Sequence, residues 1–126
     1  MSKISADTAS QKEQAEGFEG AYEDLGGYTV GFESYSADQD LAPLFAGLPD
    51  DACQSPHWGF VLAGKLGYRY PDGTEETIHA GEAYYARPGH TPVLYAGTRI
   101  VEFSPTDALA ETLEVVTANL AALQAS

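Results

Sequence analysis

The stretch CQSPHWGFVLAG, residues 53–64, places the only cysteine and the only tryptophan of the chain beside one of its three histidines. A thiolate and an imidazole at Cys53 and His57 suit zinc, and also iron, nickel or copper, whereas magnesium and calcium want oxygen ligands. The same residues admit a plainer reading. A free cysteine is among the most buried residue types and packs as a small hydrophobe, and a lone histidine is commonly a hydrogen-bonded structural residue. Side chains alternate faces along a strand, so Asp51, Cys53 and His57 share parity if the chain runs extended across Pro56.

The elements that would position these residues are short strands. From Gly26 to Phe103 the sequence alternates apolar and polar residues between turn signals. GGYTVGFESYS puts Tyr28, Val30 and Phe32 on one face and Thr29, Gly31 and Glu33 on the other. KLGYRY does the same with Leu66, Tyr68 and Tyr70. YPDGT is a turn, because Pro71 presets φ while Asp72 and Gly73 supply the polar cap and the permissive backbone. Three prolines in residues 41–56 make that segment mostly loop. Some eight strands at this spacing predict an all-β sandwich or barrel over residues 21–103.

The ends read differently. Residues 1–20 are polar and predict a partly flexible N-terminal arm. At the other end Ser104 suits an N-cap and Pro105 a first helical position. Leu109, Leu113, Val116, Leu120 and Leu123 then form one apolar stripe, so residues 104–126 are predicted as a C-terminal helix docked on the sheet.

Cys53 to Phe103 resembles the cupin superfamily, small β-barrels built around the motifs G(X)5HXH(X)3-4E(X)6G and G(X)5PXG(X)2H(X)3N. Gly64 matches the glycine that closes the first motif, and AGEAYYARPGHTP is similar to the second through Gly81, Pro88 and Gly89. The chain is also similar to a bacterial subgroup of small cupins that carries CPHWGYVLKG, PPGHTP and EFSP. The resemblance implies a single cupin barrel, a double-stranded β-helix or jelly roll, with a metal held inside. The usual three histidines and one glutamate are absent. By position His57 stands where cupins place the glutamate, and Cys53 and Asp51 stand where they place two histidines. Pro92 occupies the remaining histidine position, with His90 two residues earlier and of the same parity. The implied ligand set is therefore Asp51, Cys53, His57 and His90, holding one divalent transition metal, zinc first. Trp58, Phe60, Tyr84, Tyr85 and Tyr95 are the candidates to line a substrate pocket at the barrel mouth, with core packing as their plainer role. A homodimer is the expected assembly, with the arm or the apolar stripe helping to build the interface.

Glu102, an acid in the apolar run RIVEF, either faces solvent or reaches a site. Arg87 pairs with an anionic ligand or with a neighbouring carboxylate, while His79 falls outside both motifs as a surface strand residue. With 19 acidic against 6 basic side chains the formal net charge is −13, which disfavours nucleic-acid and anionic-membrane partners. MSKISADTAS has neither the apolar stretch nor the cleavage site of a secretory signal, and one cysteine allows no intrachain disulfide; both fit a cytoplasmic location. Three functions stay open. The first is a metal-dependent enzyme on a small organic molecule, of oxygenase, isomerase, lyase or cyclase type. The second is a non-catalytic cupin that senses a small ligand or a metal. The third is a metal-free structural barrel.

Overall fold

The computed structural model describes residues 2–125. Ten strands and one helix follow in order: β1 (Gln11–Ala15), β2 (Phe18–Leu25), β3 (Tyr28–Tyr35), β4 (Gln39–Asp40), β5 (His57–Ala63), β6 (Lys65–Arg69), β7 (Glu75–His79), β8 (Ala83–Ala86), β9 (Thr91–Leu94), β10 (Thr98–Pro105) and α1 (Thr106–Ala125). They form a six-stranded sheet, β1-β2-β3-β10-β5-β8, and a four-stranded sheet, β4-β9-β6-β7, with every pairing antiparallel. The two sheets close an all-β jelly-roll barrel, as the alternation predicts.

The turns explain the register. Gly26 and Gly27 both take positive φ, so a two-residue loop joins β2 to β3 with Leu25 opposite Tyr28. In the β6–β7 turn the Asp72 carboxylate accepts the Thr74 N–H at 2.8 Å. Gly64 alone separates β5 of the large sheet from β6 of the small one, at φ +74°. A Cβ there would stand 2.8 Å from the Thr98 Cα and 2.9 Å from the Gly97 carbonyl oxygen. Between the sheets Val61, Leu66, Ile78, Leu94 and Ile100 pack into one cluster with Tyr35, Tyr68 and Tyr84 at its border.

Three sequence expectations change in detail. Residues 11–15 of the expected arm form β1, which pairs with β2 at the edge of the large sheet. Ser104 and Pro105 do not start the helix. They continue β10 opposite Thr29 and Tyr28, and α1 begins at Thr106, whose N–H donates to the Gly27 carbonyl at 3.1 Å. The apolar stripe does not lie along a sheet. Leu109 and Val116 close the mouth of the barrel beside a 3-10 turn at Ala42–Phe45, with Leu113 at the rim and exposed, as Leu120 and Leu123 are beyond it. Asn119 fixes that arrangement, since its Nδ2 donates to the carbonyls of Leu44 at 2.9 Å and Ala46 at 2.8 Å. No described helix is long and apolar enough to cross a membrane.

Gly64 and Gly73 separate backbone strain from steric conflict. Gly73→Ala meets open space and should lose about 1 kcal/mol, the strain of a left-handed residue. Gly64→Ala adds a collision with backbone and should lose about 3 kcal/mol by urea denaturation. Equal losses at the two positions would contradict the packing described.

Candidate metal centre

Cys53, His57 and His90 meet inside the barrel mouth, all buried, with one ligand atom of each within 4.8 Å of the others. Backbone pairing brings them there. Cys53 forms an isolated bridge to His90: its N–H donates to the His90 carbonyl at 2.8 Å, and its carbonyl accepts the Gly89 N–H at 2.7 Å. Bridge partners in an antiparallel pair project to the same side. His57 opens β5 on its inner face, opposite Ala86, with Nε2 3.5 Å from the Cys53 sulfur.

The second ring nitrogen of each histidine is already engaged. His90 Nδ1 lies 2.6 Å from the Arg87 carbonyl, which can only accept, so that nitrogen carries the proton and Nε2 carries the lone pair. That Nε2 is buried and has no hydrogen-bond partner. His57 Nδ1 lies 2.6 Å from the Ser104 hydroxyl and 3.8 Å from Glu102 Oε2. His90 thus has the outer hydrogen bond that orients a metal-ligating imidazole, and the Ser104 hydroxyl can accept from His57 Nδ1 in the same way, which leaves the His57 Nε2 lone pair facing the Cys53 sulfur. The residues present fit a thiolate- and imidazole-binding ion.

Asp51 does not join them. It ends a second 3-10 turn (Pro49–Asp51) at φ +51°, exposed, and its carboxylate accepts the Gly47 N–H at 2.9 Å. The extended path assumed from parity starts only beyond that turn. Of the five aromatic candidates, Tyr84 alone points inward, where its hydroxyl donates to Glu102 Oε1 at 2.7 Å. Trp58 stands opposite Phe103 and Tyr85 on the outer face of the large sheet, and Phe60 follows it on the same side. These side chains are 39–51% exposed. Tyr95, half-buried, packs under the Lys65 ammonium, 4.7 Å from its ring centre. Arg87 stacks on Tyr70 and pairs with Asp72 at 3.5 Å, the carboxylate option.

Beside the triad is an acidic shelf: Glu102, left open between solvent and site in the sequence, reaches the site, and Glu33, which the sequence reading missed, joins it. Glu33 and Glu102 are both on the inner face, because Glu33 pairs with Ile100 while Glu102 pairs with Gly31 on the adjoining strand. Tyr68 donates to Glu102 Oε1 at 3.1 Å, and Tyr22 donates to Glu33 Oε2 at 2.5 Å. The signal for Glu33 was its place on the Thr29–Gly31 face of β3, the side that turns inward although it is the less apolar one. A cavity of about 160 Å³ spans the triad, Glu33, Glu102 and Tyr68, and the apolar residues of α1 cap it. A larger groove of about 320 Å³ lies near Lys12, Glu19 and Arg99; it shares Glu33 and Ile100 with the first and none of the triad.

Burial sets the protonation of the site. It pulls His57 down to about 4 and His90 to about 3, with His57 reinforcing the effect on His90, so both are neutral. It pushes the Cys53 thiol up to about 12. Burial also raises both carboxyl groups; Glu102 lifts Glu33 further, and the tyrosine hydroxyls oppose the shifts. For the metal-free protein the consequences have opposite signs. Below the ordinary histidine value of 6.5 the unfolded chain binds protons that the folded one refuses, so stability falls as pH falls. Above the ordinary carboxyl value of 4.5 the folded chain keeps protons that the unfolded one has released, so stability falls as pH rises. Thermal melts in chelator should therefore peak between about pH 4.5 and 6.5. A melting temperature climbing steadily from about pH 5 to about pH 8 would contradict this.

No protein-family model matches the chain, and no curated protein matches it in sequence. Solved structures match it in shape. A protein of unknown function from Rhizobium leguminosarum bv. viciae 3841 is 22% identical with a TM-score of 0.57, over 82% of this chain and 95% of that one. The polyketide cyclase RemF from Streptomyces resistomycificus is 15% identical with a TM-score of 0.57, over 83% and 79%. An RmlC-like cupin from Shewanella frigidimarina NCIMB 400 is 16% identical with a TM-score of 0.53, over 75% and 83%. Strand order, barrel closure and these likenesses agree that the fold is the jelly-roll barrel of the cupins.

Proposed function

We propose that the barrel binds one divalent transition-metal ion, zinc ahead of iron, nickel or copper, through Cys53, His57 and His90, and that the protein is an enzyme that moves a proton on a small organic molecule. The observation that carries the metal reading is His90 Nε2, a lone pair fixed in orientation, buried and unpartnered beside a thiol and a second imidazole. Buried polar atoms are rarely left so unless something occupies the space they face. A bound ion supplies a Lewis acid that polarises a carbonyl or acidifies a bound water. Three protein ligands leave a position open for such a molecule.

Glu102 supports the enzyme reading. Its carboxyl group stands in the same cavity, with two tyrosine hydroxyls bonded to Oε1, Oε2 nearer His57, and burial raising its affinity for a proton. A carboxyl group so placed takes a proton from one carbon or oxygen and returns it to another, the work of an isomerase or lyase. The Glu102 carboxyl in turn raises the proton affinity of Glu33 beside it.

The assembly we propose is a homodimer joined through the outer face of the large sheet rather than through the arm or the helix stripe. Tyr28, Trp58, Phe60, Leu62, Tyr85 and Phe103 are all at least 39% exposed on that face, and Trp58 is in ring contact with Tyr28 and Tyr85. Together they offer roughly 500 Å² of apolar surface, enough for the centre of an interface that buries about 800 Å² per partner. None of these six side chains is charged.

Elemental analysis of tag-free protein prepared without chelator tests the metal centre. About one equivalent of transition metal is expected in the native protein, lost in Cys53→Ser and His90→Gln, with added zinc raising the melting temperature of the native chain alone. Unchanged metal content in both variants would overturn the assignment. Light scattering tests the assembly: the native chain should have twice the monomer mass and Trp58→Glu the monomer mass. Equal masses for the two would refute this interface.

A further inference from the structure

Among the described residues, two buried side-chain polar atoms have no hydrogen-bond partner: His90 Nε2 and the Thr112 hydroxyl. Both line the same cavity of about 160 Å³. The proposed ion accounts for the first and leaves the second unexplained.

Thr112 is 2% exposed and lies within the apolar face of α1, among Leu109, Leu113 and Val116. A threonine inside a helix commonly satisfies its hydroxyl by bonding back to a carbonyl one turn earlier. Here it does not, and valine would fill the same space without an orphaned oxygen. The Thr112 hydroxyl is close enough to the Cys53 sulfur to favour the thiolate as a hydrogen-bond donor, the smallest of the influences on that thiol, but it forms no hydrogen bond of ordinary geometry there. Asn119 holds the helix in place through the 3-10 turn, so Thr112 is presented to the cavity from a fixed lid.

We infer that Thr112 binds the small molecule that occupies the site, its hydroxyl donating to an oxygen of the ligand that also faces the Cys53–His57–His90 ion. The inference rests on the metal reading and assigns a class of ligand to it. The cavity is close in volume to an engineered pocket of about 150 Å³ that admits benzene, which limits the ligand to a short molecule. No lysine or arginine lines the cavity, and two acidic side chains do, so a phosphorylated ligand finds no counter-charge. Leu41, Leu44, Phe45, Leu109 and Val116 form an apolar wall facing the polar groups. The ligand is an unphosphorylated short-chain carbonyl or hydroxy compound. Its oxygen lies among the ion, Thr112 and Glu102, and its hydrocarbon end lies against the leucines.

Native protein, Thr112→Val and Thr112→Ser, each loaded with cobalt(II), separate the two claims. Metal analysis comes first: all three should hold equal cobalt, and a native protein that takes up none would overturn the metal reading and this inference with it. Acetohydroxamate, a small oxygen-donor probe, is then titrated against the visible cobalt spectrum. Thr112→Val should bind it about five- to tenfold more weakly, and Thr112→Ser should restore the native affinity. Without metal, Thr112→Val should melt at the native temperature or a few degrees above it, because an unsatisfied buried hydroxyl has been removed. Equal acetohydroxamate affinity in all three cobalt proteins would overturn the inference while leaving the metal centre standing. A metal-free Thr112→Val that melts several degrees lower would also overturn it, since the hydroxyl would then be structural.

Discussion

The site depends on one short piece of backbone pairing, the bridge between Cys53 and His90. Its two hydrogen bonds, 2.8 Å and 2.7 Å, tie the loop that enters β5 to the corner that leaves β8 for the other sheet. Neither segment belongs to a long strand, and each is rich in proline and glycine, so little else specifies how they lie. Once they are paired, Cys53 and His90 point the same way, and His57 follows on the inner side of β5. Gly89, at φ +93°, gives the corner the turn that lets its N–H reach back to the Cys53 carbonyl.

The rest of the barrel tolerates a polar mouth because its opposite end is dry. Val61, Leu66, Leu94 and Ile100 are nearly or fully buried between the sheets. Above them the inner surface changes to tyrosine, then to Glu33, Glu102, Ser104 and the two histidines. The tyrosines form the boundary, with rings against the core and hydroxyls bonded to the carboxyl groups. An aromatic body with a polar tip suits that border between a packed interior and a functional cavity. Gly59 and Gly31 belong to the same design. A Cβ at Gly59 would stand 2.4 Å from the Tyr84 hydroxyl, and one at Gly31 2.8 Å from the Tyr22 ring. The tyrosines reach the carboxyl groups across strands that leave room for them.

The fold was largely legible in the sequence because alternation and turn chemistry are local signals. The Asp72 turn and the Leu66–Tyr68–Tyr70 face both read directly. Of the four residues proposed as ligands, Cys53 and His57 read from spacing and His90 from a motif resemblance, whereas Asp51 stands apart from the other three. Other features required register. Which face of β3 turns inward cannot be read from β3 alone, since its apolar side, Tyr28, Val30 and Phe32, is the outer one. Glu33 became visible only when β3 was paired with β10. Ser104 carried a strong helix-start signal, but pairing with Thr29 extended the strand past it and gave its hydroxyl to His57. Thr112 carries no distinguishing signal within the helical sequence. Its meaning depends on the helix closing the mouth, a long-range contact with no local signature.

Electrostatics links the outer surface to the site. The chain carries a net −13, and its cavity is lined by carboxyl groups, a thiol and neutral imidazoles, with no cationic side chain among them. Every ionisable group there is held in its uncharged form, or pushed towards it, by burial. Such a site is inert towards anions and strained towards ionisation of its own acids. A divalent cation reverses both conditions. It stabilises the thiolate, keeps the imidazoles deprotonated and favours the ionised carboxyl groups that burial opposes. The acidic surface raises the local concentration of cations outside the barrel. On this reading the protein's charge, its depressed histidines and its raised carboxyl groups are parts of one arrangement, in which the ion supplies the positive charge that the sequence withholds from the cavity.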